Sequence, residues 1–153
     1  MNIELKKYRP AINSEIEEAE KLLGYKLPAE YISFLLEFNA AIPEDNVFDE
    51  DLTVSVDRFI PVSEIATRAK KVDGLPEGAI PIAEATSGNL IYFKKASEEV
   101  MFWDHEIDND KKLASSFDEF LIKLLPFDMK SVQLKPEQVK SVWVDPNFNP
   151  EFD

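Results

Sequence analysis

The chain has 153 residues, no cysteine, and a formal net charge of −13 from 30 acidic and 17 basic side chains. The lack of cysteine excludes disulfides, thiol catalysis and cysteine metal sites, and fits the reducing conditions of the cytoplasm, which is the expected location. The charge disfavours nucleic acid and anionic membranes as ligands and favours a basic partner, although many acidic proteins are merely soluble. The sequence has no apolar run of membrane-spanning length and no signal-peptide pattern at its start, so neither is expected.

Two helices are predicted in the first forty residues. Ser14, with Glu17 three residues later, has the spacing of a capping box, and apolar residues at helical spacing continue until Gly24 ends the helix. Pro28 stands at the expected first position of the second helix, which runs to Asn39. This second helix is apolar around much of its circumference, so it is expected at the centre of the core.

An acidic segment and a third helix follow. Residues 44–51, EDNVFDED, hold five carboxylates around two apolar side chains and are predicted to form a loop after Pro43. Residues 53–60 alternate loosely enough to form a strand, and residues 63–72 have helical spacing. The third helix brings Arg68, Lys70 and Lys71 together as a small basic cluster.

Three apolar runs at residues 80–83, 90–93 and 100–103 are predicted to be the strands of an antiparallel meander. The strands are too close in sequence for parallel crossovers, and Gly88 can adopt the positive φ that the first turn needs. The expected fold is therefore α+β, with helices packed on a mostly antiparallel sheet built around this meander, in a single domain.

The rest of the chain is predicted as a polar loop, a fourth helix and a tail. Residues 107–112 are polar, and Ser116 with Glu119 forms a second capping box for a helix that Pro126 ends. We expect a domain over residues 1–126 and a C-terminal extension over residues 127–153, whose aromatic residues suggest that it lies on the domain or on a partner.

Few residues offer catalytic or metal-binding chemistry. His105 is the only histidine, and its flanking carboxylates make a general base conceivable, but no nucleophile motif accompanies it. A structural role at the end of a strand is the favoured interpretation of His105. Acidic residues alternate from Asp104 to Asp110, but an EF-hand would need glycine and glutamate where Asn109 and Ser115 stand. Weak cation binding stays open, while no cofactor, no metal site and no enzymatic activity are expected.

The acidic segment 44–51 is either a solvated loop or a decoy surface that places carboxylates where phosphates would lie. In the second interpretation its acidic residues and those of the 100–106 strand bind a basic protein, with two apolar anchors. The predicted partner-binding residues are Glu44, Asp45, Val47, Phe48, Asp49, Glu50 and Asp51, with Asp104 and Glu106 as second choices.

Several stretches together resemble the SUKH superfamily over residues 12–125. The residues that resemble the N-terminal signature of the family are Ile16 to Gly24, Leu27-Pro28, Tyr31, Phe34-Leu35 and Asn39. The residues that resemble its centre are Pro81-Ile82-Ala83, Gly88-Asn89 and the strand from Val100 to Glu106. Those that resemble its closing helix are Ser116-Phe117 and Phe120-Leu121. The chain departs from the family at Asn39-Ala40-Ala41, where members often have Asn-Gly-Gly.

The resemblance implies an α+β domain without catalytic activity or cofactor. Most bacterial members are thought to be immunity proteins that bind and neutralise a cognate toxin, often a nuclease, and others are interaction modules. The hypothesis is therefore a cytoplasmic immunity protein that occludes a basic toxin domain through an acidic face. The alternatives are a module that binds an endogenous regulator, and a hydrolase that uses carboxylates near His105.

Overall fold

The computed structural model describes residues 3–48, 51 and 53–126. The helices are α1 (Asn13–Leu23), α2 (Ala29–Phe38), α3 (Val62–Lys71) and α4 (Phe117–Ile122). The strands are β1 (Leu5–Lys6), β2 (Ile42–Pro43), β3 (Val47–Phe48), β4 (Val56–Phe59), β5 (Ala79–Ala85), β6 (Leu90–Lys94), β7 (Val100–Asp104), β8 (Asn109–Ala114) and β9 (Leu124–Leu125). The predicted α+β class is confirmed, and the extension over residues 127–153 lies outside the described residues.

The centre of the fold is an antiparallel sheet in the order β4-β5-β6-β7-β8. The three predicted strands are its middle, with Phe93 opposite Val100 and Leu90 opposite Trp103. Every residue from Leu90 to Phe93 is buried, so both faces of β6 are covered and its sequence is a continuous apolar run. The predicted turn is also confirmed, since Gly88 has a φ of 78°.

The predicted polar loop at residues 107–112 is wrong, because most of it belongs to β8. Among the described strands it pairs only with β7, at the edge of the sheet, with Lys111 opposite Phe102. Its first four residues are polar or charged, and three of them are exposed, which suits an edge that must not recruit further strands. The polar composition that indicated a loop is thus typical of a protected edge strand.

The acidic segment is not entirely a loop either. Val47 and Phe48 form β3, which pairs antiparallel with β9, and Phe48 lies opposite Leu124. The fourth helix consequently ends at Ile122, earlier than predicted, because the chain extends into β9 before it reaches Pro126. Two residues on each side make this pairing, a signal too short to read from sequence.

Of the two predicted capping boxes, the one at Ser116 is present in part, because the Glu119 carboxylate accepts from the Ser115 N–H at 2.7 Å and not from the N–H of Ser116 itself. Ser116 Oγ accepts a hydrogen bond from the Glu119 backbone N–H at 3.2 Å, as expected for a cap of α4. The helix α1 instead starts one residue before Ser14, at Asn13, with Ile12 as its cap. The Glu15 carboxylate accepts from the Ile12 N–H at 3.1 Å and is also held by Arg9, so it satisfies the helix end that Ser14 was expected to satisfy.

Aromatic rings join α2 and α4 to the sheet. The Tyr31 ring meets the Phe93 ring of β6 at 5.2 Å and the Phe117 ring of α4 at 5.0 Å, both edge to face. Phe34 meets Phe59 of β4 at 4.7 Å and Phe117 at 5.0 Å. These contacts fix α2 and α4 side by side on one face of the sheet, which confirms the predicted central position of the second helix.

The turn after α2 keeps a backbone conformation that glycine favours. Ala40 has a φ of 64°, at the position where the resembling family often has glycine. Asn39, completely buried, accepts a hydrogen bond on its Oδ1 from the Val62 N–H at 2.8 Å and so connects the end of α2 to the start of α3. The departure from Asn-Gly-Gly therefore leaves the left-handed turn in place, at the cost of a strained alanine.

On the other side of the molecule, α3 packs on α1 and β5. Glu84 of β5 accepts a hydrogen bond from Arg58 Nε at 2.7 Å and forms an ion pair with Arg68 of α3. These contacts lower the pKa of Glu84, chiefly through the hydrogen bond from Arg58. Arg68 of the predicted basic cluster is thus used to hold α3 on the sheet. In the part of the chain described, none of the helices combines the length and apolar character that crossing a bilayer requires.

Candidate partner-binding surface

The first predicted site residues, Glu44 and Asp45, lie against β1. Glu44 forms an ion pair with Lys6, and its backbone N–H donates to the Glu4 carbonyl at 2.8 Å. The Asp45 carboxylate accepts from the Glu4 N–H at 3.3 Å. Both side chains therefore help to attach the N-terminal strand, and the charge of Glu44 is already balanced by a cation of this chain.

Asp51 is engaged at the opposite end of the acidic segment. Its carboxylate forms an ion pair with Lys111 of β8 and accepts hydrogen bonds from the Thr53 N–H at 2.9 Å and the Thr53 hydroxyl at 2.6 Å. Partial burial acts to raise the pKa of Asp51, but the hydrogen bonds from Lys111 and Thr53 outweigh it and lower the pKa to about 2. Asp51 thus fastens this segment to the edge of the sheet.

The prediction that Val47 and Phe48 are apolar anchors for a partner is corrected by their burial. Their side chains are 5% and 2% exposed, and the Phe48 ring stacks on the Phe120 ring of α4 with 6.2 Å between centroids. Because they are covered by α4 and β9, they belong to the core and offer no surface to a partner. Asp49 and Glu50, which follow them, lie outside the described residues.

Asp104 and Glu106 lie in the turn between β7 and β8. The Asp104 carboxylate accepts from the Glu106 N–H at 3.0 Å, a local contact that shapes the turn. Trp103 is 3% exposed and donates its indole N–H to Asp108 at 3.2 Å, so its ring belongs to the core. Glu106 is exposed and available to a partner, whereas Asp104 is half-buried.

His105 is held by an amide rather than by a carboxylate. Its backbone N–H and its ring Nδ1 both meet the Asn89 Oδ1, at 3.2 and 2.8 Å. Since a carbonyl oxygen only accepts, Nδ1 carries the proton in this contact. Among the described residues, no hydrogen bond joins the ring to an acidic side chain of the kind that orients a catalytic histidine, so the geometry favours a structural role.

A cleft that sequence analysis did not find opens between α2 and α4. Its volume is about 390 Å³. Its walls bring together acidic side chains, a hydroxyl and apolar side chains, which are Glu30, Ser33, Phe34, Glu37, Phe38, Asp118 and Leu121. We call this feature the α2–α4 cleft. None of the described residues that line it is basic.

Among the residues that the structure describes, none is a cationic partner for the carboxylates of the α2–α4 cleft. Glu30 accepts a hydrogen bond from the Asp118 backbone N–H at 3.3 Å, at the start of α4. Glu37 and Asp118 are exposed, and within the described part of the chain no ion pair engages either of them or Glu30. The cleft therefore combines an apolar floor with a rim of uncompensated negative charge.

Comparison with known proteins places the chain in a family. A family model described as SMI1-KNR4 cell-wall, SUKH_6, matches residues 13–121. The chain belongs to the SUKH family. The match contains every lining residue of the α2–α4 cleft, so the cleft lies within the SUKH domain of this chain. It also contains the acidic segment and the turn between β7 and β8.

One curated relative of this SUKH chain is the SPbeta prophage-derived uncharacterized protein YokK of Bacillus subtilis (strain 168). The two are 24% identical over 147 residues, and the alignment covers 76% of this chain and 77% of YokK. This likeness associates the SUKH chain with a protein derived from a prophage.

Part of the signal for the cleft was present in the sequence of this SUKH domain. Glu30, Ser33 and Glu37 are spaced three and four residues apart, so they lie along one face of α2. The rest of this helix is apolar around much of its circumference. Asp118, however, is 88 residues from Glu30. Only the packing of α4 against α2 brings the two together, and no local pattern predicts that packing.

Proposed function

We propose that this protein is an immunity protein that acts in the cytoplasm by binding and neutralising a cognate toxin domain. The observation that supports this most strongly is the SUKH match over residues 13–121, because bacterial members of that family are thought to act in this way. The likeness to a protein described as prophage-derived is compatible with this proposal.

The charge of the chain supports a basic toxin as the partner. A net charge of −13 creates a field that accelerates encounter with a positively charged protein. Toxins that cleave nucleic acid need a basic surface to hold their substrate, and an acidic protein can cover that surface. A nuclease is therefore the proposed toxin class.

Neutralisation is proposed to occur by occlusion, without catalysis. His105 contacts Asn89 rather than an acid–base partner, which offers no support for the hydrolase alternative. Of the acidic residues first predicted for the interface, Glu106 is exposed, while Glu44 and Asp51 already form ion pairs with Lys6 and Lys111. The proposed acidic surface therefore extends beyond the segment 44–51.

Co-expression with the toxin domain encoded nearest upstream tests the proposal. We expect growth to be restored and the two proteins to copurify as a stable complex. The matched control is the same chain co-expressed with an unrelated toxin domain of similar charge, which it should not neutralise if recognition is specific. A well-folded chain that neither restores growth nor copurifies with the toxin would contradict the proposal.

A second candidate function is an interaction module that binds an endogenous regulator. It is favoured by the description of the matching family model, which refers to the cell wall. Affinity purification from cells that lack any toxin gene would separate the two functions. The module should retain one defined partner in such cells, and the immunity protein should retain none.

A further inference from the structure

We propose that the α2–α4 cleft receives an arginine side chain of the partner, so that this cleft is the recognition site of the acidic surface. The inference rests on the proposed function for the identity of the partner, a basic toxin domain. The site itself rests on the shape and charge of the cleft.

The floor of the cleft suits the stem of an arginine. Phe34, Phe38 and Leu121 provide apolar and aromatic surface, on which the methylene groups and the flat face of a guanidinium pack well. A volume of about 390 Å³ falls within the range of about 300–1,000 Å³ typical of ligand sites. The cleft is therefore large enough for a long side chain.

The rim of the cleft suits the charged end of the same side chain. Glu30, Glu37 and Asp118 provide carboxylate oxygens on both walls, and a guanidinium has five N–H donors arranged to bind carboxylates in pairs. Three like charges around one opening repel one another, and a cation placed between them removes that repulsion. Lysine offers only a point charge and stacks less well, so arginine is the better occupant.

Apolar side chains beside the cleft indicate that the ligand belongs to a protein. Ile122, one helical turn beyond Asp118 on α4, is 80% exposed. The Tyr8 ring, 47% exposed, packs edge to face on the ring of Phe38, a lining residue of the cleft, at 5.0 Å. A buried arginine surrounded by apolar contacts that exclude water is the usual composition of an interface hot spot.

Charge reversal at the rim is the direct test. Glu37→Lys places a cation at the opening and should weaken binding of the co-encoded toxin domain about tenfold or more. Glu17→Lys is the matched control, because Glu17 is also exposed and helical but lies on α1, outside the cleft. Both variants change the net charge equally, so the proposal is overturned if they weaken binding to the same extent.

A second variant fills the cleft from within. Ser33 is an exposed lining residue, so Ser33→Arg should place this chain's own guanidinium between the carboxylates and compete with the partner. Thr67→Arg, at an exposed position in the middle of α3, adds the same side chain elsewhere. We expect binding to be lost with Ser33→Arg and retained with Thr67→Arg, with unfolding curves showing that both variants are folded.

A small probe tests the cleft without any toxin. Butylguanidinium, titrated into the full chain, should shift the backbone amide resonances of the cleft residues with a Kd on the order of 1 mM. Methylguanidinium, which lacks the stem, should bind more weakly, and Glu37→Lys should abolish the shifts. Shifts that are absent from the cleft, or unchanged by Glu37→Lys, would overturn the proposal. If the wild-type chain binds no toxin, the proposed function fails, and this titration still decides whether the cleft recognises arginine.

Discussion

The acidic segment 44–51 and the α2–α4 cleft show two different ways in which a protein can present negative charge. The segment holds five carboxylates within eight consecutive residues. The cleft gathers three carboxylates from two helices, and Asp118 comes 88 residues after Glu30 in the chain. The density of acidic residues along the sequence favoured the segment as the binding site. Among the described residues, however, the carboxylates that surround an accessible cavity without a cationic partner are those of the cleft.

The difference follows from what the chain does with each set. Glu44 and Asp51 flank a short buried strand, and each forms an ion pair with a lysine of a neighbouring strand. Carboxylates used in this way neutralise cations within the fold and hold strands in place. The number of acidic residues in a loop therefore does not measure the negative charge that the surface presents to a partner.

The largest expected effect is at Phe48, which the sequence suggested as an anchor for a partner. Phe48→Ala should lower the free energy of unfolding by about 3–5 kcal/mol, because it leaves a cavity beneath α4 and β9. Urea unfolding followed by circular dichroism measures this change. Ile122→Ala is the matched control, since Ile122 is 80% exposed and its loss should change stability by less than about 0.5 kcal/mol.

The opposite effect of Phe48→Ala would support the sequence-based interpretation of Phe48 as an anchor for a partner. If Phe48→Ala weakened toxin binding and left stability unchanged, Phe48 would be a surface anchor after all. The contrast between segment and cleft would then no longer hold.

A smaller effect is expected from Asp51. Folding lowers the pKa of this carboxyl from 3.8 to about 2, so its ionised form stabilises the folded state above about pH 4. This contribution is lost as the pH falls towards 2. Because the side chain is 30% exposed, we expect about 1–2 kcal/mol after allowance for screening by water.

Asp51→Asn tests this structural role. The substitution should lower the free energy of unfolding near neutral pH, and the difference from the wild type should diminish as both proteins are acidified. Asp118→Asn, in the cleft, provides a comparison because no ion pair with a described residue engages Asp118. A stability difference for Asp51→Asn that did not depend on pH would contradict the assigned ion pair with Lys111.

The smallest effect is expected from the two acidic residues between β3 and Asp51. Reversing Asp49 and Glu50 to lysine should slow association with a basic toxin and flatten its salt dependence, with little change in dissociation. Stopped-flow or surface-based kinetics at two salt concentrations separate the two rates. Glu37→Lys should instead accelerate dissociation, as expected of a direct contact. If the double reversal accelerated dissociation more than Glu37→Lys, the segment would be the recognition site and the cleft would not.

The parts of the fold that repeat over many residues were predictable from sequence. The central strands at residues 80–83, 90–93 and 100–103 are continuous apolar runs, and the helices show clear periodicity. The elements that were missed are β1, β2, β3, β8 and β9. Each is either two residues long or polar because it lies at an edge. Their existence depends on a partner strand, and a local pattern does not contain that information.

The candidate site was less predictable than the fold. Val47 and Phe48 looked available because acidic residues surround them, yet tertiary contacts bury both. Glu30 and Glu37 were not singled out from the sequence, because no local pattern distinguishes them from other charged residues of a helix. They become part of a candidate site only because the rings of Tyr31, Phe34 and Phe117 fix α2 against α4 and so create the cleft between the two helices.

The aromatic packing under the cleft also separates specificity from stability. Tyr31 and Phe117, completely or nearly completely buried, hold the two helices together from below, while Ser33, Glu37 and Asp118 face water. Substitution at such exposed positions usually changes stability by less than about 0.5 kcal/mol. The exposed residues of the cleft can therefore be exchanged one at a time with little effect on the folded state, so the binding specificity of this surface can change while the aromatic core that supports it stays the same.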